Sequence, residues 1–106
     1  MDIQLKKGLL NTCVLAAVSK SDVYGYQITQ DILNVMEISE SSLYPVLRRL
    51  EKQGYLTTYT REYSGRLRKY YSITPEGLKK LDEARKELDE LKKTVDFIMG
   101  GKNNDA

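Results

Sequence analysis

Along the first third of the chain, apolar residues recur at steps of three and four, the spacing of helices with one buried face. The first predicted helix covers residues 3–19. Its apolar stripe consists of Leu10, Cys13, Val14, Ala17 and Val18. A polar break follows, and Asp22 is a candidate N-cap for a second helix that starts near residues 23–25. The second helix is expected to end near residues 37–39, where serines offer caps. The pattern therefore predicts two helices joined by the short polar turn at residues 19–22.

A third helix is predicted over residues 40–53. Pro45 should lie near its first turn, where a missing N–H costs least, and Gly54 should end it. The stripe that faces the core consists of Leu43, Val46, Leu47 and Leu50. At ~100° per residue, the opposite stripe is exposed and mostly polar. It carries Ser41, Tyr44, Arg48 and Lys52.

A β-hairpin is predicted after the third helix. Residues 55–63 are rich in threonine and tyrosine, which favour strands, and residues 67–73 supply the returning strand. Between them, residues 64–66 form a turn signal, Ser-Gly-Arg. The hairpin is basic near its tip, at Arg61, Arg66, Arg68 and Lys69. Three helices and a hairpin follow the order of a winged helix-turn-helix, in which the third helix would enter a DNA groove and the hairpin would be the wing.

A long last helix begins at Thr74-Pro75, an N-cap followed by a proline in the first turn, and stops at Gly100. Apolar residues repeat along it every seven positions, as in a coiled coil. These are Leu81, Ala84, Leu88, Leu91, Val95 and Ile98. Because a small core cannot cover so long a stripe, we predict that this helix pairs with its counterpart in a second copy, with the first helix as a second contact. The alternative is a helix packed back onto its own domain.

The predicted fold class is therefore mainly α with a β-hairpin. Residues 1–73 are expected to form a winged helix-turn-helix DNA-binding domain, residues 74–99 a C-terminal dimerisation helix, and residues 100–106 a disordered tail. A total of 106 residues is one domain's worth and is too short for a barrel or two-domain dinucleotide enzyme.

Composition narrows the possible chemistry. The chain has no histidine, one cysteine and no glycine-rich nucleotide-binding loop, so an ordinary zinc site, histidine catalysis and a bound nucleotide are not expected. We expect no cofactor, no metal and no enzymatic activity. Without a signal-peptide pattern or a membrane-length apolar run, a cytoplasmic protein is expected. Cys13 on an apolar helix face reads as a small buried hydrophobe, with a redox-sensing thiol as the alternative.

Charge is distributed unevenly along the chain. Residues 1–40 carry three basic and five acidic side chains, residues 41–70 seven and two, and residues 71–106 seven and eight, although the net charge is only +2. A local excess of cations attracts polyanions even when the total is small, so we predict DNA binding; a merely solvated face is the alternative. The predicted DNA contacts are Ser41, Ser42, Tyr44, Arg48, Lys52, Arg61, Ser64, Gly65, Arg66, Arg68 and Lys69.

Several of these side chains have a plainer interpretation. Arg49 and Lys52 could be solvated, or could pair with Glu51 or Glu76. The tyrosines at positions 24, 26, 55, 59 and 63 are expected to pack in the hairpin or the core rather than stack on bases. Since residues 70 and 71 are adjacent tyrosines on one strand, one of the two must face inward.

Three segments resemble the PadR family of bacterial transcriptional regulators: residues 24–28 (YGYQI), 42–56 (SLYPVLRRLEKQGYL) and 65–77 (GRLRKYYSITPEG). The resemblance implies a winged-helix homodimer closed by its C-terminal helix, usually a repressor, and the single last helix is similar to the short subfamily. On a homodimer, the operator would be pseudo-palindromic, with half-sites about one DNA turn or a multiple of it apart.

The resemblance also implies a small hydrophobic or aromatic effector at the dimer centre. Some short members of the family hold planar compounds there between aromatic side chains, whereas this chain has no tryptophan and only Phe97 as an aromatic in its last helix. The residues placed to contact an effector are Arg85, Leu88 and Asp89. The alternative function is a winged-helix protein-interaction module that does not bind DNA.

Overall fold

Four helices and a three-stranded antiparallel sheet make up residues 2–101, the part of the chain that the computed structural model describes. The elements in chain order are α1 (Ile3–Ser19), β1 (Val23–Tyr24), α2 (Gly25–Leu33), α3 (Glu40–Lys52), β2 (Leu56–Tyr63), β3 (Arg66–Ile73) and α4 (Pro75–Ile98). The prediction of a mainly α winged-helix fold is confirmed. Among the helices of the described residues, none combines the length and the hydropathy that crossing a membrane needs.

The sheet contains one strand that the sequence pattern did not predict. β1 pairs with β3, with Val23 opposite Tyr71 and Tyr24 opposite Tyr70, so β3 lies between β1 and β2. The hairpin itself closes through Ser64 and Gly65, at φ 52° and 79°. Positive φ at both central residues is the geometry that lets a two-residue turn follow the twist of its strands.

The second helix differs from its prediction at both ends. Its N-cap is Tyr24 rather than Asp22, because β1 takes the preceding residues into the sheet and turns the Asp22 carboxylate toward the hairpin. The helix ends at Leu33, earlier than the break predicted near residues 37–39. Backbone N–H groups of Val35 and Met36 both donate to the Ile32 carbonyl, and this turn buries the Met36 side chain in the core.

The core lies between α1, α2, α3 and the inner face of the sheet. All four residues of the predicted α3 stripe are buried in it, which confirms that stripe. α3 begins at Glu40, the predicted start, so Pro45 is its sixth residue and lies at the beginning of the second turn, just past the first. The proline therefore leaves the Ser41 carbonyl without its usual helical donor.

Only the first turns of α4 belong to this core. Thr74 caps the helix by accepting a hydrogen bond from the Gly77 N–H at 3.0 Å, and Leu81 is fully buried in its own chain. Leu81 therefore has no surface left for a partner, and the predicted dimer stripe is reduced to its other five positions. The remaining length of α4 extends outward from the core. The chain therefore measures 57 Å along its longest axis. Its radius of gyration is 16.0 Å, whereas a compact domain of 100 residues has a radius of gyration of about 13 Å.

The end of α4 is apolar and exposed. Phe97, Ile98 and Met99 are 80%, 71% and 75% exposed, and the helix then stops at Gly100, which has a positive φ. The division into residues 1–73 and 74–99 stays a prediction, since α4 starts inside the core. Of the predicted disordered tail over 100–106, residues 102–106 lie outside the described part of the chain.

Candidate nucleic-acid interface

The outward face of α3 carries polar side chains that are not used by the fold. Ser41, Tyr44, Arg48 and Lys52 are all exposed, as predicted from the helical spacing, and so is Ser42. Neither Arg48 nor Lys52 forms an ion pair within residues 2–101. Their charges are therefore open to an external anion.

The adjacent Arg49 has a different environment. It donates a hydrogen bond from Nη2 to Asn11 Oδ1 at 2.7 Å, which ties α3 to α1. Within residues 2–101, Arg49 forms no ion pair with Glu51 or Glu76, and its side chain is exposed to solvent, as the other plain interpretation has it. Glu51 instead accepts a hydrogen bond from Thr58 at 3.1 Å and pairs with Lys69. The two adjacent arginines therefore differ: Arg49 is hydrogen-bonded to α1, whereas Arg48 has no ion-pair partner within residues 2–101.

Hydroxyl groups cluster where α3 begins. The Oγ atom of Ser39, the N-cap, lies 3.2 Å from Ser41 Oγ and 2.8 Å from Ser42 Oγ, and its side chain does not cap the helix. The N-cap of α2, Tyr24, also makes no side-chain cap. Because helix N-termini present unpaired N–H groups and partial positive charge, both are compatible with an external phosphate.

The hairpin separates its cations onto two faces. Strand alternation and the β2–β3 register place Arg61, Arg66 and Arg68 on the outer face, away from the helices. Lys69 lies on the inner face, with its Nζ atom 3.7 Å from Glu51 Oε1 and 5.5 Å from the centre of the Tyr71 ring. The four cations that the sequence grouped together at the tip therefore do not share one surface.

The outer face is a layer of tyrosine rings and guanidinium groups. The Tyr59 and Tyr70 rings stack with their centres 5.5 Å apart, and Arg61 lies over both of them. Arg68 lies between two rings, 4.3 Å from the centre of Tyr24 and 4.1 Å from that of Tyr63. Here the hairpin tyrosines pack with one another, as predicted.

Of the adjacent pair on β3, Tyr71 is the one that faces the core, where it is 4% exposed. Its ring reaches the start of α2, where a ring of α3 also lies. A Cβ atom at Gly25 would lie 3.6 Å from Tyr71 Cε1 and 3.9 Å from Tyr44 Cε1, so the Tyr44 ring of α3 rests beside the start of α2. The next residue back is Tyr24, which holds Arg68. Exposed side chains of α3, the N-terminus of α2 and the outer face of the hairpin are therefore parts of one continuous surface.

Asp22 fixes β1 to the hairpin, a role that sequence reasoning missed. Its carboxylate accepts hydrogen bonds from Ser72 Oγ at 2.5 Å and from the Tyr59 hydroxyl at 2.8 Å. The hydrogen bond from Ser72 lowers the pKa of Asp22, and the hydrogen bond from Tyr59 makes a smaller contribution in the same direction. The hydrogen bond between Tyr59 and Asp22 also raises the pKa of the Tyr59 hydroxyl. Both partners come from strands about forty to fifty residues further along the chain, so no local signal indicates the cluster.

The lowered pKa predicts a pH-dependent contribution to stability. The Asp22 carboxylate stabilises the fold above its ordinary value of 3.8, and this contribution is lost as the pH falls through the lower pKa of the folded state. We expect Asp22→Asn to be less stable than the wild type near neutral pH by under about 1 kcal/mol, since the group is exposed and solvent screens it. Urea unfolding at a series of pH values should show the difference shrinking below pH ~4. A difference that persists unchanged in acid would contradict this origin, and Glu62→Gln, an exposed carboxyl on the same hairpin, serves as the control.

The residues predicted to contact an effector lie along the free part of α4. Arg85 and Asp89 are exposed and Leu88 is half-buried, next to the remaining positions of the heptad stripe. Cys13 is half-buried in α1, and burial raises the pKa of its thiol. A raised pKa lowers the thiolate fraction, which is the opposite of what a redox-sensing cysteine requires.

Comparison with known proteins identifies the family. The model of the Transcriptional regulator PadR-like family matches residues 14–83. A solved structure from Streptococcus mutans, smu.1704, is 48% identical, with a TM-score of 0.83 and 92% of each chain covered. The PadR-like transcriptional regulator BC4206 from Bacillus cereus is 33% identical, with a TM-score of 0.84 over 92% of this chain and 97% of that one.

A protein from Mycobacterium tuberculosis, Transcriptional regulator Rv3488, is 32% identical over 97% of this chain and 94% of its own length. This protein and the one from Bacillus cereus are both named as transcriptional regulators. Because the family model spans most of the folded chain and these relatives are similar over nearly their whole length, the chain belongs to the PadR-like family of transcriptional regulators.

Proposed function

We propose that this regulator binds DNA sequence-specifically in the cytoplasm as a homodimer, on a pseudo-palindromic operator. The observation that carries the proposal is the continuous surface from α3 through the start of α2 to the outer face of the hairpin. On it, Tyr44 lies beside Gly25, and the neighbouring Tyr24 holds Arg68. A helix face and a cationic hairpin on one surface match the way winged helices contact a groove and its flanking phosphates.

The cations on this surface are not neutralised by the protein. Within residues 2–101, the salt bridge of Lys69 with Glu51 involves the inner face of the hairpin, whereas Arg48 and Arg66 form no salt bridge and Arg61 lies near the Asp22 carboxylate without forming one. Each phosphate that such a cation neutralises should steepen the salt dependence of binding by ~0.9 in log K against log salt. Ser64 and Gly65 at the exposed tip would bring the hairpin backbone close to the minor groove or the phosphates beside it.

A homodimer would place two copies of α3 about a two-fold axis. The support for it is the free, apolar part of α4, on which Leu91 and Val95 are 47% and 41% exposed and the terminal residues more so. Apolar surface of this extent on one helix is typical of an interaction site. In α1, Ile3 and Leu5 are 62% and 53% exposed, which supports the first helix as a second contact.

Repression, and release by a small hydrophobic or aromatic effector, complete the proposal. Their support is the family resemblance. The effector would bind where the two α4 helices approach each other, next to Arg85, Leu88 and Asp89. Leu88 would supply the apolar contact there, with Arg85 and Asp89 available for polar groups on the compound.

The test is an electrophoretic mobility shift with DNA from upstream of the protein's own gene, at about 50 and about 200 mM salt. A discrete complex that resists competitor DNA and weakens with salt is expected. Absence of any complex at low salt would instead favour the alternative, a winged-helix module that binds proteins.

The two adjacent arginines of α3 make a matched pair for this test. We expect Arg48→Ala to weaken binding to the preferred site by roughly 10- to 100-fold and to relax its sequence preference, as loss of a base contact does. Arg49→Ala should leave DNA affinity within about twofold, because its guanidinium already binds Asn11, and should cost about 1 kcal/mol of stability through that lost hydrogen bond. The readouts are fluorescence anisotropy on specific and mixed-sequence duplexes, and urea unfolding. Equal loss of affinity in both variants would contradict the assignment of Arg48.

A further inference from the structure

We propose that Tyr24 and Tyr63 are positioning residues that hold the Arg68 guanidinium in the orientation in which it meets a DNA phosphate. The inference rests on the proposed DNA-binding function and adds to it a role for two aromatic side chains. Arg68 lies between the two rings, at 4.3 Å and 4.1 Å from their centres, and is half-buried by them. Rings on both sides leave the guanidinium only its edges for further hydrogen bonds.

The chemistry of the groups that hold Arg68 decides whether its charge remains available to a phosphate. A carboxylate would also fix the arginine, but it would cancel the charge that a phosphate needs. Aromatic rings attract the cation through their electron-rich faces and leave both its net charge and its N–H donors available. Within residues 2–101, no ion pair involves Arg68, so tyrosines alone hold it.

Cation–π contacts are also concentrated in one place. Each of those found within the described residues involves Arg61, Arg68 or Lys69, all three in the hairpin. Of these contacts, the two of Arg68 have the shortest distances to a ring centre, 4.3 Å and 4.1 Å, and they are the two in which the strongest attraction is expected.

The physical benefit is a smaller loss of side-chain freedom on binding. A free arginine loses much of its rotamer entropy when it contacts a phosphate, whereas Arg68 is already restricted in the free protein. Tyr24 also links Arg68 to the rest of the fold, because Tyr24 is the N-cap of α2 and pairs with Tyr70 in the sheet. Through Tyr24, the position of Arg68 is fixed relative to α2 and not only relative to the hairpin.

The test uses the full chain, a mixed-sequence duplex and fluorescence anisotropy over a series of salt concentrations. Tyr63→Leu should weaken binding about fivefold at every salt concentration with an unchanged salt slope, because the charge remains and only its ordering is lost. Tyr63→Phe, which keeps the ring, should restore most of the affinity. Arg68→Ala should lower the slope itself by ~0.9, since one phosphate contact disappears.

Leu67→Ala is the control for a change in the hairpin alone. Leu67 is 77% exposed on β3, but strand alternation places it on the inner face, on the other side of the sheet from Arg68. Its replacement should change affinity less than twofold. Circular dichroism and thermal melting establish that each variant is folded.

A second measurement on the free protein separates this inference from the proposed function. Proton NMR should show the Arg68 side-chain resonances shifted upfield by the two rings in the wild type and in Tyr63→Phe, and shifted part of the way back in Tyr63→Leu, in which only the Tyr24 ring remains. The inference alone is overturned if the wild type binds the duplex and Tyr63→Leu binds it equally well, or if Tyr63→Phe is as weak as Tyr63→Leu. A wild type that shows the upfield shift but binds no duplex overturns the proposed function and, with it, the role of the tyrosines in DNA binding.

Discussion

Replacing Gly77 by alanine should lower the midpoint of thermal unfolding by about 15 °C, because it destabilises the fold by about 3 kcal/mol. Gly77 lies in the first turn of α4 and is buried. A Cβ atom there would lie 2.7 Å from Ile73 Cγ1 and closer still to the carbonyl oxygen of Tyr55. Neither neighbour is the free end of a flexible side chain, so the helix has to move.

Any such movement breaks a chain of hydrogen bonds at the base of α4. Thr74 donates from its backbone N–H to the Tyr55 carbonyl at 3.1 Å and from its hydroxyl to the Gly54 carbonyl at 2.7 Å. The same hydroxyl accepts from the Gly77 N–H. Overpacking costs about 1–3 kcal/mol, and the loss of one of these hydrogen bonds adds about 1 kcal/mol, which together give the expected loss of about 3 kcal/mol.

Gly8→Ala is the control for this substitution. Gly8 also lies inside a helix, but a Cβ atom there would have no heavy atom within 4 Å. Alanine in an open helical position should stabilise the protein by about 0.5–1 kcal/mol. Differential scanning calorimetry of both variants provides the measurement, and a Gly77→Ala protein that melts within a few degrees of the wild type would show that α4 can shift without loss.

The sequence was sufficient to predict those features that depend on local periodicity. The buried stripe of α3 and the exposed face of Arg48 follow from the same helical spacing, and both were predicted correctly. Strand alternation also predicts that Lys69 faces away from Arg66 and Arg68, since odd and even positions of one strand point to opposite sides of the sheet. Assigning all four hairpin cations to one surface, because they are close together in the sequence, overlooks this alternation.

What could not be predicted depends on contacts between distant parts of the chain. β1 has only two residues, and it forms because the free edge of β3 is beside it. Asn11 gives Arg49 its partner from 38 residues away, so two adjacent arginines with the same local sequence acquire different environments. Gly77 is part of a segment that resembles the family, yet only the three-dimensional approach of Tyr55 explains why a side chain cannot fit there.

The largest effect on DNA binding is expected from a single charge in the free part of α4. Leu91→Asp should convert the proposed dimer into monomers and weaken binding to the operator by at least ~100-fold, because two linked half-site contacts become independent. The heptad positions are symmetric about a point between Asp89 and Glu90. A second copy running antiparallel would therefore bring Leu88 opposite Leu91 and Ala84 opposite Val95.

Symmetry doubles the consequence of this substitution. Burying a leucine stabilises by roughly 1.5–3 kcal/mol, and an antiparallel pair contains the Leu91 contact twice, so the dimer loses about 3–6 kcal/mol before the cost of a buried carboxylate is added. Leu78→Asp is the matched control. Leu78 lies on the same helix and is 45% exposed, against 47% for Leu91, but it falls outside the heptad stripe. It should remain dimeric and bind DNA as the wild type does.

Light scattering coupled to size-exclusion chromatography distinguishes the two states, since one chain has a mass of 12.2 kDa and a dimer twice that mass. The same samples in the mobility-shift assay should link the loss of mass to the loss of operator binding. A Leu91→Asp protein that still has the dimer mass would show that another surface, such as the exposed start of α1, holds the copies together. If the wild type has the mass of one chain at micromolar concentration, the proposed homodimer is wrong and the apolar end of α4 does not bind a second copy. A pseudo-palindromic operator would then no longer be expected.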